Sequence, residues 1–164
     1  MKINNIVTSE KSLNMSENIK NGIRQKMRNG EICLNCSRFL GYIKDDKGHL
    51  KIVEEEAKIV RKIFELYLNG FGVRKIKKYL QENGIKTVTG KSEWSTSTID
   101  RILSNEKYIG DVLMQKSFIQ NPLAGKRKRN DGELDMYFIE NNHEAIIDRE
   151  IFEKVKIKKK TNNR

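Results

Sequence analysis

Apolar residues recur along this chain with two periods, and each period predicts a kind of element. From Glu54 to Asn69, Ala57, Val60, Ile63, Phe64, Tyr67 and Leu68 fall on one helical face behind three leading acids, and Gly70 ends the run. A second helix is predicted over Val73 to Asn83, with Val73, Ile76 and Leu80 inward and Arg74, Lys75, Lys77 and Lys78 outward; Gly84 closes it. A third, short helix follows Trp94, where Ile99, Ile102 and Leu103 make an i, i+3, i+4 stripe and Ser95 or Thr96 can accept from its first free amides. Ahead of these, Met15, Ile19, Ile23 and Met27 or Arg28 recur over Ser12 to Gly30, a stripe one residue wide that Gly22 interrupts, as in an arm resting on something else. The last helix runs from Asp148 to about Lys158 and buries Ile151, Phe152 and Val155.

Period two appears in three places. Gly41 to Val53 alternates about Asp45-Asp46-Lys47-Gly48 and predicts a hairpin. Lys107 to Phe118 reads as a strand with Tyr108, Val112 and Met114 on one side, and Met136 to Glu140 as its antiparallel partner. Between them Gln120 to Gly132 keeps neither period and is expected to be a loop. The sum is an α+β chain: a mostly helical domain with helix-turn-helix-like helices and small antiparallel β-hairpins.

Charge gives these elements a partner. Thirty-three Lys and Arg against 22 Asp and Glu leave a net charge of +11 over 164 residues. The favoured partner is therefore a polyanion, and double-stranded DNA leads. No apolar run approaches the ~20 residues that span a bilayer, so no membrane partner is expected. No secretory segment lies near Met1 and only two cysteines occur, which reads as a cytoplasmic protein without a disulfide framework.

Candidate chemistry is sparse. Cys33 and Cys36 form half of a four-ligand zinc site with no second pair, and they read as loop cysteines; no metal or cofactor is expected. His143 beside Glu144 suggests acid/base work, yet neighbours on an extended chain point apart and no third partner is visible, so His143 is read as structural. Trp94 could stack on a base; a lone Trp just before a helix is read instead as a core plug. The short helix offers small hydroxyls and one long cation, the side-chain types that contact base edges and phosphates. Ser97, Thr98 and Arg101 are accordingly the candidates for base readout. Arg24, Arg28, Arg74, Lys78, Ser95, Thr96, Lys107 and the cluster Lys126, Arg127, Arg129 are the candidates for phosphate contact.

Gly41-Tyr42, the run Glu55 to Tyr67, Gly84-Ile85-Lys86-Thr87, Trp94-Ser95, Ile102 to Gly110 and His143 to Ile147 together resemble the recombinase domain of the large serine recombinases, over about Ser16 to Lys158. The chain departs from that pattern at Phe39-Leu40, where a proline commonly precedes Gly-Tyr, and at Cys33 and Cys36. In that family a resolvase-type domain carries the attacking serine, a long helix links it to the recombinase domain, and a zinc ribbon usually follows. Residues 1–30 read as a mobile, unpatterned N-terminus followed by what the resemblance implies is the end of the linker helix, 31–158 as the DNA-binding domain that it implies, and 159–164 as a basic tail. It implies no nucleophilic serine here, inactivity of this chain alone, and a monomer that meets other recombinase subunits in the full-length parent. The function expected is sequence-specific binding of an attachment half-site for integration, excision or transposition of mobile DNA. The rivals are a stand-alone winged-helix regulator and a metal-dependent nuclease using His143, Glu144 and the cysteines.

Overall fold

The computed structural model describes residues 15, 18–27, 29, 38–46, 48–119 and 125–162. Five helices and six short strands occur among them. Residues 15 and 18–27 are helical (α1); then come β1 (Tyr42–Lys44), β2 (Leu50–Ile52), α2 (Glu54–Leu68), α3 (Val73–Glu82), α4 (Thr96–Ile102), a 3-10 turn (Glu106–Ile109), β3 (Val112–Met114), β4 (Ser117–Ile119), β5 (Arg127–Arg129), β6 (Tyr137–Ile139) and α5 (Arg149–Asn162). Two compact units result, one of Asn35–Val112 with Glu140–Arg164, the other of Met1–Leu34 with Leu113–Ile139.

The larger unit is built on α2. Its buried face carries Ala57, Val60, Ile63 and Phe64, and α3 and α5 pack against it while α4 packs on α3. Ile76 and Leu80 come from α3, Ile99, Ile102 and Leu103 from the α4 region, and Phe152 and Val155 from α5. At about 1.5–3 kcal/mol for each such side chain, this core outweighs the exposed Lys58–Glu55 and Lys62–Glu65 ion pairs on α2, worth at most about 1 kcal/mol each. The predicted hairpin forms with Tyr42 opposite Ile52 and Lys44 opposite Leu50.

The Gly-Tyr pair has a physical reason. Gly41 sits at φ 91°, and a Cβ there would come within 2.7 Å of Ile146 Cδ1. Its amide donates to Glu56 Oε2 at 2.7 Å, and the Tyr42 hydroxyl donates to the Glu144 carbonyl at 2.7 Å. Tyr42, Phe39, Tyr108 and Phe64 form one aromatic cluster with centroids 5.1–6.3 Å apart. Trp94 is a core plug as expected: it is 1% exposed and its indole donates to the Ile85 carbonyl at 2.7 Å.

The single strand expected over Lys107 to Phe118 does not form. Asn105 caps a 3-10 turn instead, and Gly110 at φ 85° ends it; a Cβ there would lie 2.6 Å from the His143 carbonyl oxygen. Tyr108 is buried from a turn, which alternation cannot distinguish from a strand. The chain then bends again at Gln115, φ 62°, dividing β3 from β4. β3 pairs with β6, as expected, while β4 pairs with β5. The expected loop therefore contains a strand, Arg127–Arg129, whose three cations give no apolar alternation to read.

In the smaller unit, Met15, Ile19 and Ile23 of α1 are exposed. Cys33, Cys36 and Arg28 lie outside the described residues. α5 continues through Asn162, beyond the end expected near Lys158.

Candidate nucleic-acid interface

α4 owes its position to contacts on every side but one. Ile99 and Ile102 seal its inner face in the core. At its start Ser95 Oγ accepts from the Thr98 amide at 3.1 Å, so Ser95 rather than Thr96 is the cap. At its end Lys159 of α5 reaches Asp100 Oδ1 at 2.6 Å and the Asp100 carbonyl at 3.2 Å, and also bonds the Ser104 hydroxyl. The neighbouring Lys158 donates to the Leu68 carbonyl at the end of α2, 2.9 Å away. Lys158, at the expected end of the last helix, and Lys159, the first residue of the expected basic tail, are thus engaged in holding the ends of α2 and α4.

The remaining face of α4 is open. Ser95, Ser97 and Arg101 are exposed and Thr98 half-buried. Ser95 Oγ lies 3.0 Å from Ser97 Oγ and 2.8 Å from Thr98 Oγ1, and Arg101 reaches Thr98 Oγ1 at 3.5 Å. The structure therefore brings the three expected readout residues together on one short helix. Thr98 and Arg101 also line a groove of 340 Å³ whose other walls include Arg38, Phe39, Thr87 and Val88. Thr87 is fixed by a turn in which its hydroxyl accepts from the Lys91 amide at 3.1 Å. Arg38 was not singled out by the sequence, because it stands in a segment without period; its position beside Phe39-Leu40 of the Gly-Tyr motif is the signal that could have found it.

The expected phosphate contacts are dispersed. Arg74 and Lys78 lie exposed on α3, where Lys78 is 3.6 Å from Glu82. Thr96 is half-buried and Ser95 is engaged as the cap. Lys107 has a side chain only 14% exposed, 3.4 Å from Glu106. Arg24 is half-buried on α1, 3.4 Å from Asn21 Oδ1. Lys126, Arg127 and Arg129 are exposed at and before β5, with Arg129 Nε 3.2 Å from Asp131. Lys128 is paired with Glu133, whose carboxyl is pulled down to about 2 by that bond and by the Asp131 amide.

His143 has a structural environment. One ring nitrogen, Nε2, lies 2.7 Å from the Lys107 carbonyl, and the ring meets Tyr42 edge-on at 5.0 Å. Burial pushes its pKa down, against the opposing pull of that hydrogen bond, so the ring is neutral and donates. No group of three or more His, Cys, Asp or Glu among the described residues could hold a metal ion, and no helix among them is long and apolar enough to cross a membrane.

The fold is that of two solved structures. One, described as "Crystal Structure of a LSR-DNA Complex", superposes with a TM-score of 0.62 at 21% identity, covering 89% of this chain and 38% of that one. The other, described as "Sequence Requirements of the Listeria innocua prophage attP site", gives 0.60 at 23% identity, over 85% of this chain and 50% of that one. A family model described as Recombinase matches residues 54–162, and the chain belongs to that family. A curated Bacillus subtilis (strain 168) protein described as "Putative DNA recombinase" is 33% identical over 122 residues, 71% of this chain; the match spans 24% of that relative's length. The resemblance carried by Gly41-Tyr42, Trp94-Ser95 and their companions is borne out.

Proposed function

We propose that this chain is the double-stranded DNA-binding part of a site-specific serine recombinase and that it recognises one attachment half-site. The observation that carries this reading is α4: its inner face is sealed in the core, its ends are tied by Ser95 and Lys159, and its free face presents Ser97, Thr98 and Arg101. A short helix so held can present side chains to a major groove, which is about 12 Å wide, without losing its own alignment. Arg74, Lys78 and Lys126 supply phosphate contacts that fix register, and Arg101 with Thr98 reads base edges. The resemblance of the fold to a recombinase–DNA complex and the Recombinase family support the same partner. Binding rather than strand cleavage is the role of these residues, and none of the serines is assigned as a nucleophile.

The test is selection of duplexes from a randomised pool by the full chain at about 150 mM salt, followed by sequencing. One enriched motif, lost at about one position in Arg101→Ala at a cost of ~1–3 kcal/mol on the selected site, is the expected result. Equal losses for Arg101→Ala on selected and random DNA would remove it from base readout. No retained duplex would overturn DNA binding.

A further inference from the structure

The β4–β5 ribbon has two chemically different faces. Residues directly opposite in an antiparallel pair share a face, and successive residues alternate. Ser117 is opposite Arg129, Phe118 opposite Lys128, and Ile119 opposite Arg127. One face therefore carries Arg127 and Arg129 with Ser117 and Ile119; the other carries Lys128 and Phe118.

The second face is already occupied. Lys128 is paired with Glu133, and the segment that brings Glu133 back is fixed by Asn130, which is 4% exposed. Asn130 Nδ2 donates to the Gln115 and Leu134 carbonyls at 2.9 and 2.7 Å, while Oδ1 accepts from the Gly132 and Leu134 amides at 3.1 Å each. All four hydrogen-bonding positions of one buried amide serve to set the base of the ribbon. The first face is open: the Arg129 side chain is 86% exposed, and Arg127 has no acidic partner among the described residues. The Arg129–Asp131 contact at 3.2 Å joins two exposed groups, and such a pair yields readily to another anion.

Resting on the proposed DNA-binding role, we infer that this ribbon enters the major groove and that Arg127 and Arg129 read guanines two base steps apart, rather than holding phosphates. Three arguments carry it. Alternate residues on a strand are about 6.8 Å apart, and two base steps rise by about the same distance. A two-stranded ribbon fits the major groove and is too wide for the minor one, about 6 Å across. Arginine's planar fork meets the O6 and N7 acceptors of guanine with two parallel N–H donors, a fixed geometry that the single ammonium of a lysine does not offer. Ile119 on the same face is placed to meet a thymine methyl, and Ser117 accepts or donates to either base pair. Lys126, just before the strand, is left for the backbone.

Charge-conserving variants separate this role from phosphate contact. Duplex selection with the full chain should enrich a motif containing two G·C pairs two steps apart. Arg127→Lys should flatten one of them and Arg129→Lys the other, each losing about 5- to 150-fold discrimination at its own position. Lys126→Ala should weaken all duplexes alike and leave the motif unchanged. Methylating N7 of those two guanines should block the wild type, and each lysine variant should be blocked less by methylation at one of the two. An unchanged motif in both lysine variants would overturn the inference while leaving DNA binding intact, and so would a wild type that retains DNA without selecting any motif. A wild type that retains no duplex would overturn the inference together with the DNA-binding reading beneath it.

Discussion

Asp111 has a side chain 2% exposed, yet it is ionised, and its neighbours explain why. Burial alone would raise the carboxyl. Two hydrogen bonds from Arg149, each 2.9 Å, a third from the Asn141 amide at 3.1 Å and the guanidinium charge outweigh burial and hold it below the ordinary value. A carboxyl so depressed stabilises the fold fully above its unfolded pKa, about 3.9, and loses that contribution as pH falls through the lower folded value. The pair is asymmetric, because Arg149 is 51% exposed. Asp111→Ala leaves a cation that water can still reach and should cost about 1–3 kcal/mol in urea unfolding. Arg149→Ala strands a buried carboxylate, should cost more, and should shift the Asp111 titration upward in carboxyl NMR. His143 gives the opposite end of the acid range. Its pKa is lowered by burial, so the neutral ring is favoured in the fold. Its contribution is complete above the unfolded pKa of about 6.5 and declines as pH falls toward the folded value. Chemical denaturation from pH 7.5 to 5 should show that decline, and His143→Gln should remove the slope.

At the scale of elements, α4 is the piece on whose alignment the proposed DNA contact depends and whose length supports it least. Seven residues are too few for a stable isolated helix, so its caps and packing decide its order. Ser95→Ala should cost about 1 kcal/mol in thermal unfolding, since the Thr98 amide loses its acceptor. A double-mutant cycle on Lys159 and Asp100 should give a coupling of about 0.5–1 kcal/mol, modest because Asp100 is 55% exposed. Trp94→Ala removes a side chain that is 1% exposed and should cost about 3–5 kcal/mol. How much of this was legible in the sequence varied with the strength of the local pattern. α2, α3 and the first hairpin followed their periods to within a residue or two, because each buries one face continuously. Residues 107–118 misled because a 3-10 turn can bury Tyr108 and a strand Val112 and Met114 in what looks like one alternation. β5 was illegible for the opposite reason, since its order comes from pairing with β4 and from Asn130, neither of which leaves an apolar rhythm. The three readout candidates could be grouped from helical spacing, but Lys159 could not: its partners are 55 and 59 residues away.

For the whole molecule, the net charge of +11 makes the proposed affinity for DNA a function of salt. Six neutralised phosphates would give log K against log salt a slope of about −5, and each phosphate-contacting lysine removed should reduce it by about 1. A titration between about 50 and 200 mM salt measures this directly. The larger unit is interrupted in sequence but not in its hydrogen bonding. It is left at Val112 and rejoined at Glu140, and just outside those points the Gly110 carbonyl accepts from the Asn142 amide at 2.8 Å and from the His143 amide at 3.4 Å. The two joints are thus fastened to each other by the larger unit itself. Whatever chain runs between them can lengthen, shorten or be exchanged with little demand on the core, so relatives can diverge in this excursion while keeping one scaffold. In the laboratory, transplanting residues 113–139 between two such relatives should carry the DNA preference inferred for the ribbon with it and leave the melting of the scaffold nearly unchanged.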